Sequence, residues 1–343
     1  MNPTPEMDLS QWTNIWTLAE VKNGRLHPVS YELLGRGRGL ADQRGCLLCT
    51  VVIGDRVNRA DVQELIERGA DRVYLAEDPK LAAFLVEPHA RVLRHLIELY
   101  RPEVVIAAAT TTGRTMMPYI SAKIHAGLTA DCTGLAIDPE TGCLLQTRPA
   151  IGGNILATIK TPTARPQMAT VRPKSTRIPE RQPGRRGEIV TVGDIQSLLD
   201  SRVTFEQFIP DADGSASIED ADVIIAGGAG VRRADGFDVL DKFASLMNGA
   251  VGATRPCVDH GWQPYPRQIG LSGKTVSPRL YIACGISGAI QHLAGIQTAE
   301  NIIAINSDPN AAIFQVADLA IVGNMFDIMP VVIEKLEKEH INR

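Results

Sequence analysis

From residue 46 to about 137 the chain alternates short apolar, β-branched runs with amphipathic stretches of helical period. "CLLCTVVIG", "DRVYLA" and "PEVVIAAAT" read as strands, and "RADVQELIERG", "EPHARVLRHLIELY" and "TMMPYISAKIHAG" as the helices between them. Such alternation predicts an α/β domain around a mostly parallel sheet. The pattern then changes: "CLLQTRPA", "NILATIKTP" and "QMATVRPK" are short strands separated by Gly, Pro and Asn, which suggests an antiparallel extension. The Pro-, Gly- and Arg-rich run 173–187 is a loop, and the strand-like "SRVTFEQFIP" leads to a domain boundary near 207. Beyond it, "DVIIAGG", "AVGAT", "RLYIACG", "NIIAINS" and "DLAIVG" recur as strands. The runs "GFDVLDKFASLMNG", "SGAIQHLAG" and "MPVVIEKLEKEH" supply helices. The expectation is two α/β domains, 1–206 and 207–343, the second a doubly wound, Rossmann-like sheet.

Composition narrows the function without deciding it. A chain of 343 residues, 44% hydrophobic and 22% charged, is ordinary for a two-domain globular protein. A net charge of -4 with no basic patch argues against nucleic acid and anionic membranes and leaves proteins or small molecules as partners. The first residues lack a cationic start followed by an apolar run, and no apolar stretch reaches membrane length, which reads as a cytoplasmic protein. Cys46 and Cys49 resemble a redox or metal pair. On a strand, however, side chains three apart face opposite ways, so no metal site is expected there.

Ligands of doubly wound sheets bind beyond the carboxyl ends of the strands, where glycine turns open onto helix N-termini. After "RLYIAC" come Gly285, Ser287 and Gly288, then a run carrying Gln291 and His292. "NIIAI" ends in Asn306, Ser307, Asp308 and Pro309, and "AVGA" ends in Thr254 and Arg255, a fixed cation. Three strand ends thus converge on an anionic ligand, a nucleotide by preference. Each also has a plainer reading: Asn306 as a cap, and His292 as a core histidine satisfied by a backbone carbonyl. "GRGRGL" at 35–40 lacks the strand a dinucleotide loop requires, "TTTGRT" at 110–115 reads as a helix cap, and Arg185 and Arg186 as a solvated loop.

The run "LYIACGISGAIQHLAGIQTAENIIAIN" (280–306) closely resembles the signature of the electron-transfer flavoprotein alpha subunit, the family that includes FixB. "GATR", "QIGLSGKTVSP" and "DPNAAIFQVADLAIVGNMFDIMP" follow that family's order, and "GLTADCTGL" and "RPQMATVRP" resemble its first domain. The resemblance implies an N-terminal domain like the adenine nucleotide alpha hydrolases and a C-terminal domain that binds FAD. Thr254, Ser287 and the backbone of Gly288, Ala289, Ile290, Gln291 and His292 would lie near the phosphates and ribityl chain, with Asn306 and Asn324 toward the adenosine end. Gln268, Ile269, Gly270, Leu271 and Ser272 would form the loop reaching the isoalloxazine, the Ser272 hydroxyl meeting N5. Arg255 would lie near the ring and His292 near its O2, where a cation or donor stabilises the negatively charged reduced flavin.

The same resemblance implies an electron carrier with no catalytic base or nucleophile, paired with a beta subunit that carries AMP or a second FAD. A dehydrogenase, such as an acyl-CoA dehydrogenase, would serve as donor or acceptor. It further implies a mobile FAD domain, with a hinge near residues 205–212 around Pro210 and Gly214. Three positions depart from the family: Ala229 stands where an arginine is common, leaving Arg232 or Arg233 to substitute; Leu271 replaces a glutamine; and Asn324 replaces an often acidic residue. Within the family, the alternative is an electron-bifurcating complex that oxidises NADH. Outside it stand an NAD-dependent enzyme and a nucleotide sensor.

Overall fold

The computed structural model describes residues 8–149, 155–207 and 218–341, and divides the chain into two compact units, 1–207 and 208–343. The first is built on a seven-stranded sheet in the order Glu188–Thr191, Arg72–Glu77, Leu48–Gly54, Thr13–Leu18, Pro102–Ala108, Gln167–Val171, Leu128–Cys132. Every pairing in it is parallel. Alternate residues enter two cores, one on each face: Ile15, Val52 and Val73 pack in the first, Trp16, Cys49 and Tyr74 in the second. Helix Val29–Arg44 covers the first face, with Leu33, Leu34 and Leu40 in its core. Helices Val86–Tyr100 and Thr111–Ile124 cover the other, with Leu93 and Met117 in its core. Cys49 is buried in one core while Cys46 packs against the other, and all six cysteines are free.

The three predicted strands and three helices of residues 46–137 are present. Strand Thr13–Leu18, at the centre of the sheet, and helix Val29–Arg44 were not anticipated, nor was the edge strand Glu188–Thr191. The glycines of "GRGRGL" disguised that helix, and two of them, Gly35 and Gly37, pack rather than turn. A Cβ on Gly37 would lie 2.6 Å from a Leu48 methyl, so the bare backbone sets how closely helix and sheet approach.

Strand Gln167–Val171, expected in the antiparallel extension, is a parallel strand of the main sheet. All five of its residues are buried, the mark of a strand covered on both faces. The antiparallel part is a separate three-stranded sheet of Gly134–Ile137, Leu144–Pro149 and Leu156–Ile159. Residues 201–207 form no strand, because the Arg202 amide donates to the Glu87 carboxylate (3.1 Å) instead of entering a ladder. Pro210 and Gly214 lie outside the described residues.

The second unit holds the five predicted strands, Val223–Gly227, Ala250–Ala253, Leu280–Cys284, Ile302–Asn306 and Leu319–Val322. All are parallel. Numbered along the chain, their spatial order is 2-1-3-4-5, so the winding reverses between Val223–Gly227 and Leu280–Cys284, where doubly wound sheets open a crevice. One face packs on helices Asp238–Leu246 and Met325–Ile341 through Phe237, Leu240, Phe243 and Met329. The other is covered by the loops around Ile269, Ile286, Ile296 and Ile313. "SGAIQHLAG" yields one helical turn, Ile290–Leu293. Among the described residues, no helix is long and apolar enough to cross a membrane.

Candidate functional site

At the reversal point two glycine turns meet backbone to backbone. The Gly228 amide donates to the Cys284 carbonyl (2.9 Å), and Gly230 to the Gly285 carbonyl (2.9 Å). A Cβ on Gly228 would lie 2.4 Å from the Gly285 oxygen, so a side chain there would push the turns apart. Gly288 has φ +88°, and its Cβ would fall 2.2 Å from the Ile313 nitrogen. This shape holds the chain from Ser287 to Gln291 with five consecutive amides that donate to no described residue. Successive free N–H groups next to left-handed glycines form the concavity that binds phosphate. The loop is fixed from behind: the Ser287 carbonyl accepts from the Ile313 amide (3.1 Å) and the Ile286 carbonyl from Asn306 Nδ2 (2.8 Å).

Beside this cradle, Gln268–Lys274 closes on itself. Gly270 donates to the Lys274 carbonyl (3.1 Å), Gly273 to Gly270 (3.0 Å) and Lys274 to Gln268 (2.8 Å). Gln268 is buried, and its Nε2 donates to the Ser272 hydroxyl (3.1 Å) and carbonyl (2.9 Å). The exposed Ser272 hydroxyl is thus held in one direction. The Leu271 amide donates to the Gln291 carbonyl (2.8 Å), joining this loop to the cradle. Tyr265, which the sequence did not single out, donates its hydroxyl to the Ser272 carbonyl (3.2 Å). Tyr265, Leu271 and Ile290 are 63%, 70% and 69% exposed, a rim of large apolar side chains at the mouth of a polar crevice.

Thr254 is buried at the N-cap of helix Arg255–Asp259, its amide on the Gly227 carbonyl (3.0 Å). Arg255 projects outward, 67% exposed, with a loose 3.3 Å contact to Asp259. Asn306 uses its amide group on Ile286 and its carbonyl oxygen on the Asp308 amide (2.9 Å). Asn324 caps the last helix by accepting from Phe326 (3.2 Å), beside Gly323, which donates to the Asn306 carbonyl (2.9 Å). The capping role weighed for Asn306 therefore holds. Thr254 and Arg255, Ser287, and Asn306 lie at the carboxyl ends of three strands of one sheet.

His292 lies behind the cradle. Its ring is buried, Nε2 lies 2.9 Å from the Tyr281 hydroxyl and Nδ1 lies 3.2 Å from the Ile269 carbonyl. Burial lowers its pKa to about 4 despite the carbonyl contact. The imidazole is neutral, with both nitrogens within hydrogen-bond distance of protein groups, and its contact to a backbone carbonyl is that of the plainer reading. Arg232, at the turn after Gly230, is exposed and makes no ion pair with a described residue, so it is free to meet an anion where Ala229 cannot.

In the first unit, "TTTGRT" is a cap: the Thr110 hydroxyl accepts from the Gly113 amide (3.2 Å). Among the described residues, no cluster of His, Cys, Asp and Glu is arranged to hold a metal ion.

Two family models match the chain. Residues 15–196 match the electron transfer flavoprotein domain, and residues 217–297 match the electron transfer flavoprotein FAD-binding domain. A relative from Thermoanaerobacterium thermosaccharolyticum, electron transfer flavoprotein subunit alpha, is 44% identical over 96% of this chain and 99% of its own length. The chain belongs to the electron transfer flavoprotein alpha subunit family. The subunit alpha of Megasphaera elsdenii is 42% identical over 97% of this chain and 99% of its own. Protein FixB of Rhizobium meliloti, also in the family, is 41% identical over 95% and 94%. The match to the family's FAD-binding domain lies within the second unit and includes both the cradle and the Gln268–Lys274 loop.

The residues present suit FAD. A diphosphate calls for several N–H donors and no nearby carboxylate, and the Gly285–Leu293 run offers five free amides and no acidic residue. A flat aromatic ring calls for apolar edges with a few polar groups, which the Tyr265, Leu271 and Ile290 rim and the fixed Ser272 hydroxyl provide.

Proposed function

We propose that this alpha subunit holds the FAD diphosphate on the amides of Ser287–Gln291, with Arg232 as a second anchor, and the isoalloxazine against Gln268–Ser272 and Arg255. The observation that carries the reading is the row of unpartnered amides at the winding reversal, beside a loop whose one exposed hydroxyl is aimed by a buried glutamine. Bound FAD supplies reversible uptake of one or two electrons. The protein positions that group and adjusts its charge balance. Arg255 favours added negative charge on the ring, the Ser272 hydroxyl offers a directed hydrogen bond, and the apolar rim excludes water around both.

The working unit is a heterodimer with a beta subunit that carries AMP or a second FAD. It relays electrons between a dehydrogenase, of the acyl-CoA dehydrogenase kind, and a further redox partner. No residue of the crevice is placed as a base or nucleophile: the buried thiols of Cys257 and Cys284 have raised pKa values, that of Cys284 about 12, and His292 is occupied. Co-expression with the beta subunit tests the reading. One tightly bound FAD per alpha chain and a yellow spectrum are expected; a colourless heterodimer refusing added FAD overturns it. Flavin content then separates the two modes. One flavin plus AMP marks the simple carrier, whereas two flavins bleached by NADH mark bifurcation.

A further inference from the structure

Behind the crevice, the hydrogen-bond chain continues one residue beyond His292. Tyr281 is fully buried near the start of the central strand Leu280–Cys284, and its hydroxyl lies 2.9 Å from His292 Nε2. On the far side of the ring, His292 Nδ1 lies 3.2 Å from the Ile269 carbonyl oxygen. A carbonyl oxygen only accepts, so Nδ1 carries the proton. A neutral imidazole has one such proton; Nε2 therefore presents a lone pair, and the Tyr281 O–H donates into it. Burial keeps the ring neutral and holds the phenol protonated, since the Tyr281 pKa is raised well above its ordinary value. One tautomer satisfies all three groups; in the opposite tautomer Nε2–H donates to the Tyr281 oxygen, but the Ile269 carbonyl loses its donor and the buried Tyr281 O–H has no acceptor at the ring.

This chain ties together parts that sequence separates. Ile269 belongs to the loop that carries Ser272, and His292 to the turn that follows the free amides. The Leu271–Gln291 bond joins the same loop and turn but does not reach the sheet; the Tyr281–His292–Ile269 chain does. We infer that Tyr281 is a positioning residue of the flavin site, its hydroxyl completing the hydrogen-bond chain through His292 that pins the Gln268–Lys274 loop to the turn at 289–293 and both to the central strand. The inference rests on the reading that FAD occupies this crevice.

The test uses the co-expressed heterodimer. In Tyr281→Phe the FAD dissociation constant should rise roughly fivefold to tenfold, the loss of one buried hydrogen bond, with a change in flavin visible circular dichroism. His292→Asn places an amide N–H near the position of Nδ1–H and needs no tyrosine to orient it. Adding Tyr281→Phe to that variant should change FAD affinity by less than about twofold, because the two residues act as one unit. His292→Gln reaches Tyr281 but leaves the Ile269 carbonyl without a donor, and should bind FAD more weakly than His292→Asn. Ring 15N–1H long-range couplings in histidine-labelled protein should show the Nδ1–H form for His292, with the Nε2 resonance shifted in Tyr281→Phe as its hydrogen-bond donor is lost. Equal effects of Tyr281→Phe in both backgrounds, or an Nε2–H form in the parent, would overturn the inference. Failure of the parent protein to take up FAD would instead overturn the functional reading, while the tautomer stays measurable without cofactor.

Discussion

Gly288 shows how one residue commits the site. With φ +88° and the Ile313 nitrogen 2.2 Å from where a Cβ would stand, it tolerates no side chain. Gly288→Ala combines left-handed strain with a backbone clash, together about 2–4 kcal/mol. The expected outcome is a lower unfolding temperature of the second unit and loss of bound flavin, seen by calorimetry and by absorbance after gel filtration. On the proposed placement of the ring, Arg255, 67% exposed, acts on the flavin through its charge. Arg255→Ala should lower the flavin potential by roughly 30–60 mV, a factor of a few to ten per electron, while Arg255→Lys keeps most of it. A redox titration in which the alanine variant matches the parent would place the ring elsewhere. The sequence offers His292 either as a cation or donor near the flavin or as a core histidine, and its neutral, buried ring bears on that choice. Whether an imidazole faces ligand or core depends on Tyr281 and Ile269, 11 and 23 positions away.

At the scale of elements, Asp71 joins three. Its carboxylate accepts from the Leu48 amide (2.8 Å), from Arg38 (2.7 Å) on helix Val29–Arg44 and from Arg185 (2.6 Å) in the Pro- and Arg-rich loop. These donors keep its pKa below the usual value although burial opposes them. Arg185, read as solvated, also donates to the Ile66 carbonyl (2.9 Å) and to that of Ala70. Asp71→Ala should destabilise the first unit by about 2–3 kcal/mol, measured as a shift in urea midpoint, because it leaves an amide and two guanidinium groups without their acceptor. The strands of the second unit were legible because each is a short buried apolar run ended by glycine or asparagine. Helix Val29–Arg44 was not: three glycines in five residues contradict helix propensity, and close packing explains two of them, Gly37 on Leu48 and Thr17 and Gly35 on the Arg177 carbonyl, while Gly39 has open space around it.

For the whole molecule, each unit holds one buried histidine that resists charging. His89, on helix Val86–Tyr100, accompanies His292 with a pKa lowered to about 4 by burial. Both titrate near 6.5 when unfolded. Between these values the unfolded chain binds more protons than the native one, so stability rises with pH through that window and is fully present above about 6.5. As pH falls from about 6.5 to about 4, each unit should lose up to about 3 kcal/mol. Paired carboxylates such as Asp61 and Asp131, whose pKa values lie below 3.8, fail only at still lower pH. Unfolding temperature measured against pH should therefore fall first between 6.5 and 4 in both units. His89→Gln should flatten that fall in the first unit alone, and identical profiles for variant and parent would assign the loss to other groups.

The sequence by itself determined the two α/β units, the five parallel strands of the second and the glycine turn that presents free amides, because these follow from local periodicity and backbone conformation. Tertiary structure alone decided that Thr13–Leu18 is a central strand, that Gln167–Val171 runs parallel in the main sheet, and that His292 meets Tyr281. Those outcomes rest on contacts between residues far apart in the chain, and the energies of such contacts are absent from any short window of sequence.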